Sequence, residues 1–309
     1  MRVPATTAAA LAARLDARLE GPDRPILGVA PLESAGADDI AYLDRGEPRA
    51  AGVHLARAAS PEGTTIVVSD PLAALVTLLA DWFPKEARPA ISPPSSQHPG
   101  AFVHPTARVG AATLHPGVVV GPDCEVGDGT ILFPNVVLYP GTRIGRGCRI
   151  HAGCVLGADG FRYHPSTTGL LRVPHVAGVV LGNGVELGPG CTVDRGFLED
   201  TRLGDGCRLD AQVHVGHNVT MGKMVIIAAQ TGISGSVRIG DGAVLGGQVG
   251  VADHADIGAR VRIGAQSGIH GTLPPDTAWL GTPALPLAIM RRVYATMRYL
   301  PDLWRQRRD

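Results

Sequence analysis

From Leu203 onward an aliphatic residue or methionine returns at every sixth position: Leu203, Leu209, Val215, Met221, Ile227, Ile233, Ile239, Leu245, Val251, Ile257, Ile263 and Ile269. An earlier stretch keeps the same step through Leu114, Val120, Val126, Leu132, Leu138, Ile144, Ile150 and Leu156. A helix repeats near 3.6 residues and a strand at 2, so neither produces a period of six. A triangular coil does: each hexad makes one side, and three hexads, about 18 residues, close one turn. The pattern therefore predicts a mainly β fold, a left-handed parallel β-helix of hexapeptide repeats. Its coils stack about 4.8 Å apart, at strand spacing, and number roughly eight or nine in a solenoid where each repeat touches only its neighbours. Glycine follows the anchor at Ile239-Gly240 and Ile263-Gly264, which predicts a tight backbone turn there.

The register slips twice, with 25 residues between Leu156 and Leu181 and 10 between Val193 and Leu203. Extra residues must leave the stack as loops. The first, around residues 161–174, is long enough to reach across a groove. Five cysteines test the register: Cys124, Cys148, Cys154, Cys191 and Cys207 each lie four residues after an anchor. That slot takes a small inward side chain, and free cysteine packs as a small hydrophobe. All five are expected to be core thiols. The odd count and the lack of a C-x-x-C pair speak against a disulfide framework or a zinc knuckle.

Residues 1–98 lack the repeat. Leu11, Leu15 and Leu19 fall at helical spacing, and short runs such as residues 65–68 read as strands, so a small α/β domain is expected. The Pro- and Ser-rich run from Ile91 to Gly100 reads as a linker. Beyond Thr272 the repeat stops, and residues 285–308 have a helical pattern with Val293, Met297, Leu300 and Trp304 on one side. Pro301 should break or kink that helix. The expected division is 1–98, 99–272 for the β-helix, and 273–309 for C-terminal helices.

Composition supports this picture: aromatics are only 4% while Gly numbers 41, which suits many turns and small inward residues. Lys+Arg and Asp+Glu balance at 28 each, which argues against a nucleic-acid or membrane-surface role for the whole chain. No apolar stretch approaches the roughly 18 residues of a membrane span. Arg14, Asp16, Arg18 and Glu20 interrupt any signal-peptide core. A cytoplasmic protein with no integral membrane segment is expected.

The sequence holds no G-x-G-x-x-G, no Walker A loop and no G-x-S-x-G elbow. Histidine is more informative. His217 sits two residues after its anchor Val215, at a corner; one coil on stands Gly235, and two coils on stands Asp253 with His254 beside it. His217, Gly235 and His254 should thus line one edge of the prism within about 10 Å. A neutral imidazole can take a proton from an attacking amine, and an unobstructed glycine N–H can face a developing oxyanion. The competing reading is solvated corner residues. A three-histidine metal site, as in zinc carbonic anhydrases with this repeat, needs an H-x4-H pair, but Ala259 stands five residues after His254. No metal is expected.

Several segments resemble the UDP-3-O-(3-hydroxyacyl)glucosamine N-acyltransferase family of lipid A biosynthesis, almost end to end. Pro31-Leu-Glu-Ser-Ala-Gly36 and Asp70-Pro-Leu-Ala resemble its N-terminal uridine-binding domain. Gly157-Ala-Asp-Gly-Phe161, Val193-Asp-Arg-Gly196 and Leu209-Asp-Ala-Gln-Val-His-Val-Gly-His-Asn-Val219 resemble its catalytic β-helix, and Gln230-Thr-Gly-Ile-Ser-Gly-Ser236 and Gly281-Thr-Pro-Ala284 continue the match. The resemblance implies a homotrimer with sites in the grooves between subunits. Its donor is a 3-hydroxyacyl thioester on acyl carrier protein, and its acceptor is the 2-amine of a UDP-glucosamine already acylated at O3. It implies His217 as general base, Gly235 as the oxyanion N–H, and His254 near the diphosphate. Asp210 and Asn218 would contact substrate, Tyr42 would stack the uracil, and no cofactor is required. The chain departs from the family pattern in places. Arg45 and Pro48 stand where the uracil site has Asn and Tyr, and Ala211 replaces a frequent Asn.

Two other readings therefore stay open: a same-fold N-acyltransferase acting on another nucleotide amino sugar, from acyl-CoA, and a non-catalytic β-helix scaffold. The His217/Gly235 pair weighs against the scaffold. Arg291, Arg292, Arg298, Arg305, Arg307 and Arg308 would suit an acidic carrier protein, or form an ordinary solvated helix face.

Overall fold

Almost every aliphatic anchor ends a short strand, with the residue before it on the outer side. In Arg238–Ile239 the arginine is exposed while the isoleucine is only 3% exposed. Strands pair in parallel with those one coil away, Val215 beside Ile233 and Ile233 beside Val251. The computed structural model describes residues 1–43, 52–60, 63–84, 98–166, 169–297 and 299–300. Its repeat forms three sheets of nine, nine and ten strands. The extra strand of the third sheet, Leu285–Pro286, pairs antiparallel with Ala278–Leu280. Each face therefore carries nine parallel strands, the upper end of the expected number. This is the left-handed parallel β-helix that the hexad pattern predicts.

The faces are named here in the order the chain meets them: first face with His214–Val215, second with Thr220–Met221, third with Ile226–Ile227. The inward anchors form one continuous buried cluster. All five cysteines are free and buried within it, as the register requires, and burial pushes the Cys148 and Cys207 thiols up from their ordinary pKa.

Glycine's place in the hexad has a different cause from the one expected. The left-handed backbone falls at the third residue past the anchor, and non-glycine residues supply much of it: Asn218 (φ 60°), Ser236 (φ 61°) and His254 (φ 58°) among them. Each costs roughly 1–2 kcal/mol locally, which the stacking of coils offsets. Gly240, directly after its anchor, has no positive φ. A Cβ there would lie 2.4 Å from the Ala259 nitrogen of the next coil. Close approach of neighbouring backbones, not the turn, excludes a side chain. One corner is further tied by a glutamine ladder, Gln230, Gln248 and Gln266 each donating a side-chain N–H to the glutamine one coil back at 3.0, 2.8 and 2.8 Å.

Both register slips lie at one edge of the prism. The chain leaves after Val155–Ala158 of the first face and returns at Val179–Leu181 of the second. It leaves again after Thr192–Asp194 and returns at Thr201–Leu203. Parallel pairing then continues past residue 272, through Thr272–Leu273 and Ala278–Leu280. Helix α3 is Leu287–Met297; Arg298, Pro301 and Trp304 lie outside the described residues.

The chain divides into two compact units. One comprises Ile91–Ala158, Val179–Asp194 and Thr201–Asp309; the other joins Met1–Ala90 to the two insertions, Asp159–Gly178 and Arg195–Asp200. The N-terminal unit thus ends at Ala90 instead of 98 and takes in the two insertions. Its sheet contains β1 (Arg2–Thr7), β2 (Arg18–Glu20), β3 (Pro25–Val29), β4 (Asp39–Tyr42), β5 (Val53–Ala56) and β6 (Thr64–Val67), in the order β1-β3-β4-β5-β6-β2. Helix α1, Ala8–Arg14, is shorter than the leucine spacing predicts. Asp16 takes a positive φ of 49°, and Leu19 is drawn into β2, opposite Ile66. Helix α2, Pro71–Trp82, is started by Asp70, whose carboxylate accepts the Ala73 N–H, with Pro71 at the first helical position. Val173, Val176, Phe197 and Leu198 of the insertions pack into the same buried cluster as Leu75 and Leu79.

Candidate active site

The edge where the insertions leave is also the edge that carries His217. Val215 is fully buried, which fixes the strand, and the chain then turns outward through Gly216. His217 is half-buried at the corner. Asn218 follows in the left-handed region, its N–H donating to the buried Thr201 hydroxyl at 2.8 Å. His217 Nδ1 lies 3.1 Å from Asn218 Oδ1. An amide oxygen only accepts, so this contact puts the imidazole proton on Nδ1 and the lone pair on Nε2.

Gly235 lies one coil on, directly against that ring. A Cβ at Gly235 would fall 2.6 Å from both Cε1 and Nε2 of His217 and 3.1 Å from Nδ1. The imidazole thus occupies the space a side chain would take. Among the described residues the Gly235 N–H donates to no protein acceptor. His254 is exposed, and its backbone N–H donates to the Gly235 carbonyl at 3.1 Å. The structure therefore brings His217, Asn218, Gly235 and His254 to one edge.

Gly235→Ala follows as a test. The added methyl cannot fit without displacing the imidazole. We expect a loss of at least about tenfold in turnover, because a catalytic group moved by about 1 Å can cost far more, with the melting temperature nearly unchanged. Turnover equal to wild type would separate the ring position from the chemistry.

Asp210 is not at this edge. It sits between Arg208–Leu209 of the third face and His214–Val215 of the first, one corner earlier, exposed, its carboxylate accepting the Ala211 N–H at 2.7 Å. One chain does not bring Asp210 to His217. His214 is on the outer side of the first face, Nδ1 2.7 Å from Thr192 Oγ1 and Nε2 3.7 Å from Asp194. Burial holds its pKa below the ordinary value. Among the described residues no three His, Cys, Asp or Glu side chains converge as a metal site would require.

Tyr42 ends β4 in the N-terminal unit. Its ring meets Phe197 edge-on, centroids 6.5 Å apart, and its hydroxyl is 3.4 Å from Arg162 Nη2. Arg45 and Pro48 lie outside the described residues. Neither Arg162 nor Phe197 stood out in the sequence, because their contacts with Tyr42 span more than a hundred residues of chain. Both do adjoin recognised motifs, Gly157-Ala-Asp-Gly-Phe161 and Val193-Asp-Arg-Gly196.

The bacterial transferase hexapeptide family (six repeats) matches residues 123–158. The chain is 40% identical to the UDP-3-O-acylglucosamine N-acyltransferase of Methylobacterium sp. (strain 4-46), with 96% of this chain and 92% of that protein covered. It is 43% identical to the UDP-3-O-acylglucosamine N-acyltransferase of Azorhizobium caulinodans, with 90% and 86% covered. Among solved structures it resembles the UDP-N-acetylglucosamine acyltransferase of Francisella novicida, with TM-score 0.57, 24% identity, and 61% of this chain and 68% of that chain covered. The UDP-N-acetylglucosamine O-acyltransferase of Moraxella catarrhalis gives TM-score 0.58 at 24% identity, over 67% and 82% of the two chains. At these identities the solved structures speak to the fold alone.

Proposed function

The chain belongs to the family of UDP-3-O-acylglucosamine N-acyltransferases, and from that premise we propose how its own residues carry out the transfer. The enzyme moves an acyl chain to the amine of a UDP-linked glucosamine, a step of lipid A biosynthesis. We take the donor to be a 3-hydroxyacyl thioester on acyl carrier protein and the acceptor nitrogen to be the 2-amine of UDP-3-O-acyl-glucosamine. The observation that carries this reading is the His217 ring lying against Gly235 with Nδ1 held by Asn218.

The unprotonated amine attacks the thioester carbonyl carbon. As the C–N bond forms, the amine's proton passes to Nε2 of His217. The carbonyl oxygen gains negative charge and is met by the Gly235 N–H. The C–S bond then breaks, and the imidazolium returns the proton to the departing thiolate. The products are an amide and a free thiol, with no electron acceptor and no metal in any step. Asn218 keeps the imidazole in the tautomer that can begin this cycle, and we assign His254, exposed on the same edge, to the acceptor's diphosphate.

Asp210 lies at a different edge, so a site using both Asp210 and His217 takes its two walls from two copies. That supports a homotrimer with sites in the grooves. Residues 1–98, with Tyr42, would hold the uridine, 99–272 the reacting groups, and 273–309 the donor's carrier. Exposed Arg291 and Arg292 on α3 suit an acidic carrier protein. We place the protein in the cytoplasm; among the described residues no helix is long and apolar enough to cross a membrane.

The test is mass spectrometry of products after incubation with a panel of UDP-amino sugars and with acyl donors on carrier protein and on CoA. The expected product is the N-(3-hydroxyacyl) amide of UDP-3-O-acyl-glucosamine, formed fastest from acyl carrier protein. Faster turnover of another nucleotide amino sugar, or of acyl-CoA, would favour the same-fold alternative, which Arg45 and Pro48 keep in view. A folded protein that makes no product would be a scaffold.

A further inference from the structure

The two insertions add a cation to the surroundings of Tyr42. Arg162 is half-buried, its Cζ 5.1 Å from the centroid of the Phe197 ring. Phe197 is itself only 5% exposed, and on another side it meets His175, which is 2% exposed, at 6.2 Å and 66°. The guanidinium therefore lies on a fixed aromatic plate, the arrangement that holds an arginine by cation–π attraction. Its one polar contact with a described side chain is the Tyr42 hydroxyl at 3.4 Å.

A guanidinium has five N–H donors, and partly withdrawing its charge from water calls for an anion. The acids of these segments are engaged elsewhere. Asp159 faces Arg172 at 3.4 Å, Glu199 accepts from Ser34 at 2.6 Å, Asp200 accepts the Gly178 N–H at 2.8 Å, and Asp70 pairs with His164 at 2.6 Å. Among the described residues none pairs with Arg162. Among the described residues, then, a stacked, oriented cation stands at the hydroxyl end of Tyr42 with no carboxylate paired to it. Such a planar fork matches two phosphate oxygens at once.

We propose that Arg162, held on Phe197, receives the diphosphate of the nucleotide whose base stacks on Tyr42. The inference rests on the nucleotide role given above to Tyr42. It adds a binding residue to those the sequence offered: an insertion of the β-helix supplies a cation for the nucleotide.

The experiment is calorimetric titration of wild type, Arg162→Gln and Tyr42→Ala with UDP and with uridine, each at two salt concentrations. Arg162→Gln should bind UDP about tenfold or more weakly, as expected for loss of a charge-assisted hydrogen bond. It should bind uridine as wild type does, and its UDP affinity should depend less steeply on salt. Tyr42→Ala should weaken both ligands. Unchanged UDP binding by Arg162→Gln, or an equal loss for uridine and UDP, would overturn the assignment of Arg162 while leaving Tyr42 intact. UDP binding by Tyr42→Ala at wild-type strength would instead remove the nucleotide reading beneath it. A measurement on the unmutated protein covers the case in which Arg162→Gln does not fold. Phenylglyoxal modification of Arg162, followed by peptide mass spectrometry, should be slowed by UDP and not by uridine; equal labelling with and without UDP would sink the proposal.

Discussion

Ile239→Asp is expected to destabilise the β-helix by several kcal/mol or to prevent it from folding. The side chain is 3% exposed and lies between Met221 and Ile257 in neighbouring coils. Two losses combine. Removing a buried isoleucine costs about 2–5 kcal/mol when a cavity remains. Burying a carboxyl among aliphatic groups without a partner costs several more, whether the group stays charged or takes up a proton. The residue before it is the control: Arg238 faces out, its side chain 72% exposed, and meets Asp256 at 3.2 Å. Arg238→Ala should change stability by no more than about 1 kcal/mol, as exposed ion pairs do. Urea unfolding of both variants measures the contrast. Equal midpoints would mean that the inward and outward positions have been exchanged.

The inward positions are legible because each side turns its anchor into the prism. Val215, Ile233 and Val251, each at most 2% exposed, repeat in the sequence at the spacing with which they stack. The same arithmetic put Gly235 one coil from His217, so that pair could be read before any coordinates. What a fixed period cannot carry is the destination of residues that leave it. The breaks after Leu156 and Val193 announced insertions, but nothing local said that Phe197 and Arg162 would meet Tyr42. Contacts across such separations are decided by the packing of a whole unit. Motif matching also places residues along the chain, not around the prism. Asp210 and His217 belong to one motif yet stand at successive corners, because a side is only six residues long. The overlong helix expected from Leu11, Leu15 and Leu19 failed for a tertiary reason, since β2 gains a partner in β6 that a longer α1 would forfeit.

His217→Ala should lose about 10²- to 10⁴-fold in turnover, the usual contribution of a positioned general base. The loss should fall on the chemical step. The imidazole lies at a corner, outside the buried cluster, whereas the inward Val215 of the same hexad is fully buried. The variant should therefore melt like wild type and bind the acceptor with unchanged affinity. His214 supplies the comparison. It is three residues away, carries the same ring, and stands on the flat outer face against Thr192 and Asp194. Its pKa is lowered by burial, so it remains neutral near pH 7 and would be a plausible base on titration alone. The glycine one coil on from it, Gly232, already donates its N–H to the Val249 carbonyl at 2.9 Å, and no ring lies against it as that of His217 does against Gly235. If ring geometry, not titration, makes the base, His214→Ala keeps most of its rate and His217→Ala does not. The wild-type rate should also fall on acidification, because a protonated imidazole cannot accept the amine's proton, and that limb of the profile should vanish in His217→Ala. Single-turnover rates with saturating acyl donor, measured across pH for both variants, decide the matter. Retention of more than about a tenth of the wild-type rate by His217→Ala, well above the general-base expectation, would send the search for the base along the edge to His254.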